Sequence, residues 1–420
     1  RRSNNILFIF ISVVDMSLQK NLLSVVCCLL TFIIFAPLIK STELFMKKFL
    51  LIVCAMLALN VATAQKNVLL EEATGTWCQY CPEGIYYIDS LCEAYDNVIA
   101  IAIHTNDVMA NEVYFAATAL TQAPSANIGR NFSSKTPSEW FSCVQQDMAL
   151  QPKSTVTVEN QFDETTRTLT SVVTITALED ISGNNKIFGV VYEDAVTGPA
   201  PQYNQANQYA NSYYQMGGFQ NLPNPVPANR MAFDHVARQL LSSYSGDTGM
   251  PSFLAAGESY SHTFTYVIPE EYNPEYIRVV GAMIAEAGNI DNVAKSSYLN
   301  GKQNAAPKFT STPVTEGFAF VNYIYNIYVH DTDDKNLTIS IEEKPEWLTY
   351  EQYDSKSAAL YGTTETPGEY EVVIKVTDGE DETVQSFTIE ISEPLDGAWD
   401  YLGARGFSDS SVYMYLYGSY

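Results

Sequence analysis

The feature that most constrains this chain is the stretch from Asn67 to Gly84, NVLLEEATGTWCQYCPEG. Its pattern predicts a buried strand over Val68–Glu72, a turn of small residues over Ala73–Thr76, and a helix that opens at two cysteines. Cys78 and Cys81 lie two residues apart at this junction, where a helix N-terminus favours thiolate over thiol. This spacing lets one cysteine attack a disulfide and the other resolve the mixed disulfide.

Three chemistries remain open for this pair: a redox couple, a static disulfide and half of a zinc site. Zinc requires a second ligand pair, and the sequence contains no second Cys-x-x-Cys or His-x-x-x-His. Trp77 directly before the pair and Pro82 directly after it favour the redox alternative. On that hypothesis Cys78 is the more exposed, attacking thiol and Cys81 is the resolving thiol.

Length and charge limit the functional classes. The chain has 420 residues, enough for two or three domains, and its 46% apolar and 17% charged content is typical of folded modules. The formal net charge of -25 excludes nucleic acid as a partner, because phosphate binding requires a basic surface.

The N-terminal region predicts export. Residues 46–64 begin with a charged stretch, continue with an apolar core and end with Ala62-Thr63-Ala64, the pattern of a signal peptide cleaved after Ala64. Residues 1–45 are then an upstream extension absent from the mature protein. The alternative is that Leu22–Ile39 forms a membrane anchor. Cleavage would leave four cysteines; Cys92 and Cys143 are either buried thiols or a second disulfide.

Residues 66–150 predict a thioredoxin-like domain. Asn97–His104 is a continuous apolar run typical of a strand covered on both faces. With Trp77-Cys78-x-x-Cys81 and Pro124, this segment resembles the thioredoxin superfamily. The resemblance implies that Pro124 is a cis-proline beside the pair and that Glu72 relays a proton to the resolving thiol. The family's usual Gly-Pro between the cysteines is replaced here by Gln79-Tyr80, which leaves the redox poise open.

Residues 152–300 alternate in polarity and predict an antiparallel β-sandwich domain. Pro199–Asn229 interrupts the pattern with a polar insertion, predicted to be disordered, to cover the sheet or to be functional. Residues 66–300 resemble the outer-membrane-protein-28-related family of Bacteroidetes. The resemblance depends on the LLEEATGTWCQYCPEG stretch, on Pro124…Asn127…Arg130 and on His235-Val236-x-Arg238, and it implies an envelope location.

Residues 307–393 resemble the cadherin-like or immunoglobulin-like modules of bacterial surface proteins, and residues 395–420 predict the start of a truncated β unit. The module carries carboxylates spaced as in cadherin-like calcium sites: Glu316, Asp331, Asp333 and Asp378. A solvated acidic turn is the alternative.

The sequence therefore predicts a multi-domain exported protein with an α/β thioredoxin-like domain and two β domains. We expect it in the periplasm, outer membrane or cell surface, with any membrane association peripheral or through an unassigned anchor. The first functional hypothesis is thiol–disulfide exchange with protein thiols or disulfides of the envelope; it needs no cofactor beyond the cysteine pair. The alternative is a non-enzymatic adhesin or scaffold whose β modules bind protein or glycan.

Overall fold

The computed structural model describes residues 65–333 and 336–393. The predicted extension (1–45), signal peptide (46–64) and truncated β unit (395–420) lie outside these residues. Within the two described ranges, no helix combines the length and the apolar character that crossing a membrane requires.

The N-terminal part is a thioredoxin-like α/β unit, as predicted. In chain order its elements are β1 Val68–Thr74, α1 Cys81–Ala94, β2 Val98–His104, α2 Glu112–Thr118, β3 Ser125–Ile128, β4 Phe132–Lys135 and α3 Pro137–Met148. Strand β1 pairs in parallel with β2 and antiparallel with β3, and β3 pairs antiparallel with β4. Every residue of β1 and β2 is buried, which explains why both read as apolar runs.

The helices cover both faces of this sheet. On one face, Ile88 and Leu91 of α1 pack with Trp140 and Val144 of α3. On the other face, Tyr114 of α2 packs against β1 and β2. Helix α3 begins with a capping box, in which the Glu139 carboxylate accepts a hydrogen bond from the Thr136 backbone N–H.

The middle region extends this sheet. Its strands are β5 Ser154–Asp163, β6 Thr168–Ala177, β7 Ile181–Ser182, β8 Lys186–Glu193, β9 Val236–Leu240, β10 Phe253–Leu254, β11 Ser259–Val267, β12 Ile277–Ile284 and β13 Ile290–Lys295. One eight-stranded sheet runs in the order β13-β12-β8-β9-β2-β1-β3-β4. It is continuous because β9 pairs in parallel with β2 through Val236 and Ala102.

The structure therefore differs from a self-contained sandwich over residues 152–300. A sandwich is present, but it shares its larger sheet with the thioredoxin-like part. The sheet β11-β6-β5 packs against the β8–β12–β13 half of the large sheet and buries Val173, Ile175 and Met283 between the two layers. Strands β7 and β10 form a short ribbon beside it.

The third module is an immunoglobulin-like sandwich, as predicted. Its strands are β14 Lys308–Phe309, β15 Glu316–Phe318, β16 Tyr323–His330, β17 Thr338–Glu343, β18 Leu348–Asp354, β19 Ser357–Gly362, β20 Gly368–Thr377 and β21 Glu382–Ser392. They form two four-stranded sheets, β14-β16-β19-β18 and β15-β21-β20-β17. Alternate residues of β16 and β20, such as Tyr325 and Ile374, fill the core between the sheets.

Candidate functional site

The cysteine pair lies where the sequence predicts, at the junction of β1 and α1. Cys78 and Cys81 form a disulfide with a Cα–Cα distance of 5.3 Å. Helix α1 begins at Cys81, and Cys78 lies in the preceding turn, where its N–H donates to the Gly75 carbonyl at 3.0 Å. The Trp77 indole N–H donates to the Thr105 carbonyl at 2.7 Å and fixes the ring beside the pair.

Both sulfur-bearing side chains are buried. Cys78 is 4% exposed and Cys81 is fully buried, whereas their neighbours Trp77 and Tyr80 are about half exposed, at 51% and 48%. Cys78 is marginally the more exposed of the two cysteines, but neither side chain lies open to solvent. The turn itself reaches the surface, and a later part of the chain lies against its backbone.

This later part is the insertion Pro199–Asn229, which is ordered rather than disordered. Four hydrogen bonds join it to the turn and the first turn of α1. The backbone N–H groups of Ala206 and Gln208 donate to the carbonyls of Thr76 and Gln79, each at 2.8 Å. Gln205 Nε2 donates to the Cys78 carbonyl at 2.9 Å, and the Tyr209 hydroxyl donates to Glu83 Oε2 at 2.6 Å.

Glu72 and Pro124 both lie against helix α1 at Gly84. The Ala123–Pro124 bond is cis, as the thioredoxin resemblance implies. A Cβ at position 84 would overlap the Glu72 carboxyl oxygen and lie 3.3 Å from Pro124 Cβ. Glycine at position 84 thus makes room for the carboxyl group between β1 and α1. Glu72 and Pro124 thus meet at Gly84, in the first turn of the helix that Cys81 begins.

The Glu72 carboxyl is an unusual buried acid. Its side chain is 1% exposed, and no described residue donates a hydrogen bond to Oε1. Burial raises the pKa of Glu72 from 4.5 to about 8; nearby His235 opposes this shift and Asp89 adds to it. At neutral pH the carboxyl is therefore mostly protonated, yet it ionises within one pH unit of neutrality.

A cavity of about 320 Å³ lies beside Glu72 and is also lined by Asp89 and His235. His235 Nδ1 contacts Asp194 Oδ1 at 3.2 Å, and the backbone N–H of His235 donates to the same oxygen at 2.8 Å. Burial alone would lower the pKa of His235, but its hydrogen bonds with Asp194 and Cys92 raise it well above the usual value. The imidazolium thus places a positive charge near the Glu72 carboxyl.

His235 and Asp234 are neighbours in sequence, but their side chains have different partners. The Asp234 carboxylate binds His330 Nε2 at 2.8 Å and accepts from the Thr332 hydroxyl at 2.7 Å, both in the third module. Burial alone would raise the pKa of Asp234, but these contacts and the histidine charges hold it below its usual value. Asp234 therefore fastens the third module to the middle region, a role the sequence did not indicate.

A second carboxylate, Asp107, shapes the loop that faces the cysteine turn. Asp107 Oδ2 accepts from the Thr76 N–H at 2.8 Å and binds His104 Nδ1 at 2.7 Å. Burial alone would raise the pKa of Asp107, but these contacts bring it below its usual value. His104 is buried and anchors this loop. Beside the loop, an open groove runs between Trp77 and Pro225 of the insertion.

The remaining predicted features are the other two cysteines and the carboxylates of the third module. Cys92 and Cys143 are both free thiols. Of the predicted calcium ligands, Asp378 accepts from Asn304 Nδ2 and Asp333 accepts from the Ala305 N–H, each at 2.8 Å. Across residues 65–333 and 336–393, no group of three or more His, Cys, Asp or Glu side chains is arranged to hold a metal ion. The calcium site, which also involves Glu316 and Asp331, stays a prediction.

Fold and site define a class: a thioredoxin-like unit with a disulfide-bonded Cys-x-x-Cys pair, merged with a β-sandwich and followed by an immunoglobulin-like module. The family model described as outer membrane protein Omp28 matches residues 111–301, which confirms the family resemblance and the exported location. The match begins after α1 has ended. It therefore covers the insertion and the middle region but not the cysteine pair.

Solved structures give distant similarities. HBP35 of Porphyromonas gingivalis is 17% identical with a TM-score of 0.43, over 79% of this chain and 99% of its own. The SrpA adhesin from Streptococcus sanguinis is 15% identical with a TM-score of 0.19, over 21% of this chain and 58% of its own. None of the curated proteins compared with this chain matches it.

Proposed function

We propose that this exported protein exchanges disulfides with other envelope proteins through Cys78 and Cys81. The observation that supports this most directly is the buried Glu72 carboxyl beneath α1. A static disulfide gains nothing from an acid with one oxygen unpartnered, and burying that acid lowers stability. A resolving thiol, in contrast, needs a nearby base whose pKa lies close to the working pH.

The proposed roles follow from position. In the reducing direction, the Cys78 thiolate attacks a sulfur of the target disulfide and expels one target thiolate, which takes a proton from water. Glu72, as the carboxylate, accepts the Cys81 proton. The Cys81 thiolate then attacks Cys78 Sγ, closes the disulfide found here and releases the second target thiolate. The reverse sequence oxidises a target dithiol, and Pro124 and Trp77 border the peptide that carries the reacting sulfur.

Insulin reduction with dithiothreitol as the electron donor tests the proposal. We expect turnover by the wild-type protein and the uncatalysed rate with Cys78→Ser. Cys81→Ser is expected to accumulate a mixed disulfide through Cys78. Alkylation of the reduced protein near neutral pH checks the assignment independently, because preferential modification of Cys81 contradicts these roles.

The burial of Cys78 favours a second candidate, a non-enzymatic scaffold or adhesin with a structural disulfide. In that case the immunoglobulin-like module and the middle region would bind protein or glycan ligands at the envelope. A reduction potential below about −300 mV would place the bond among static disulfides. A higher potential together with insulin turnover supports exchange.

A further inference from the structure

We propose that the insertion Pro199–Asn229 is an autoinhibitory cap, whose segment Gln205–Tyr209 must lift from the cysteine turn before Cys78 can react. This inference concerns regulation of the exchange reaction proposed above and rests on it. We call Gln205–Tyr209 the cap segment.

The backbone of the cap segment is hydrogen-bonded to the cysteine turn. The N–H groups of Ala206 and Gln208, two residues apart, donate to the carbonyls of Thr76 and Gln79 at 2.8 Å. These two carbonyls flank Cys78. A target peptide whose backbone N–H groups bind this turn would use the same two acceptors, so the cap segment and such a target exclude each other.

Two side chains complete the closure. Gln205, itself 1% exposed, donates to the Cys78 carbonyl at 2.9 Å, and Tyr209 donates to the Glu83 carboxylate at 2.6 Å. The bond from Tyr209 is charge-assisted and is therefore among the stronger of the four. The result is a Cys78 side chain 4% exposed beside a half-exposed Trp77.

The cap segment is hydrogen-bonded to the rest of the insertion, which is in turn anchored to the sheet by apolar packing. Gln205 and Val226 exchange backbone hydrogen bonds at 3.0 and 2.8 Å. Asn207 Nδ2 donates to the Phe219 carbonyl at 2.8 Å, and Phe219 and Val226 pack in one apolar cluster with Val236 of β9, against which Tyr209 and Ile85 of α1 also pack. Breaking the four bonds to the cysteine turn is a local opening of the kind that surface elements undergo.

Only the open fraction of molecules presents Cys78 to a target. The observed exchange rate is then the rate of the open form multiplied by the open population. A target that binds the freed carbonyls of Thr76 and Gln79 raises the population of the open form. Exchange would therefore be faster with peptides that bind these carbonyls and slow with small thiols.

The test measures how fast dithiothreitol reduces the Cys78–Cys81 disulfide in the folded protein. Tyr209→Phe removes the bond to Glu83 and is expected to accelerate reduction by about tenfold or more, since hydrogen bonds to charged groups are among the stronger ones. Tyr213→Phe is the matched control, because Tyr213 lies in the same insertion and is fully exposed. Its rate is expected to equal that of the wild type.

A second variant and a second measurement complete the design. Gln205→Ala is expected to accelerate reduction as well, and both variants should speed hydrogen exchange at Ala206 and Gln208 without affecting β2. Wild-type reduction rates in both variants overturn the cap. Faster reduction by dithiothreitol without insulin turnover in any variant retains the cap and rejects exchange as the function, so the two failures are distinguishable.

Discussion

Replacing Glu72 by Gln should stabilise this protein at neutral pH. Burial raises the pKa of Glu72 from 4.5 to about 8, so at pH 7 the folded chain holds a proton that the unfolded chain has lost. At 1.36 kcal/mol per pH unit, the 2.5 units between 4.5 and 7 correspond to about 3 kcal/mol. Gln resembles the protonated acid and avoids this cost.

The pH dependence gives the sign. The folded-state pKa of Glu72 lies above the unfolded-state pKa. The folded wild-type protein therefore bears no cost from Glu72 below pH 4.5, and it loses stability as the pH rises towards 8. The gain from Glu72→Gln should therefore be near zero at pH 4 and about 3 kcal/mol at pH 7. Hydrogen exchange at β2 measures this locally, separately from the third module.

Glu71→Gln is the matched control on the same strand. Glu71 faces the opposite side of the sheet, is fully buried and pairs with Arg130 at 2.8 Å. Its substitution leaves the guanidinium without its carboxylate and should cost about 3–5 kcal/mol. If the stabilities of Glu72→Gln and the wild type depend equally on pH, the reasoning is refuted. It is also refuted if Glu72→Gln reduces insulin faster than the wild type does.

Three further outcomes are expected. Asp234→Asn should lower stability by about 1.5–3 kcal/mol at neutral pH, because it weakens the bond to His330. Since the pKa of Asp234 is lower in the folded state, Asp234 contributes its stabilisation above its ordinary pKa of 3.8. Urea unfolding should therefore show a smaller stability difference between wild type and Asp234→Asn as the pH falls below that value. Mass spectrometry of the unreduced, alkylated protein from residue 65 onwards should show Cys92 and Cys143 modified and the Cys78–Cys81 pair protected. Millimolar calcium should leave the melting temperature unchanged, and a rise would support the predicted acidic site.

Local sequence patterns were sufficient for the thioredoxin-like unit. The apolar runs of β1 and β2 each follow from a few neighbouring residues, and the thioredoxin resemblance implied the cis-proline at Pro124. The disulfide likewise follows from the Cys-x-x-Cys motif, in which two residues separate Cys78 from Cys81. These features were predictable because the signal and the structure span the same short segment.

Long-range contacts were not predictable in this way. The pairing of Ala102 with Val236 joins segments 134 residues apart, and alternation within β9 does not reveal its partner strand. The contacts between the insertion and the cysteine turn were equally unpredictable. Amide side chains such as Gln205 and Asn207 bond to backbone groups, and they show no periodic apolar face. Asp234 illustrates the same limit, since its partner His330 lies in another module.

The two unusual features of this site act on the same bond, and together they argue against a static disulfide. The cap alone would suit a structural bond, because it shields Cys78 from reductants. The buried carboxyl of Glu72 alone could be a tolerated cost of the fold, about 3 kcal/mol at pH 7. A shielded static bond, however, has no use for a buried acid that titrates near neutrality against the helix that Cys81 begins. A bond that reacts only after the cap lifts needs both.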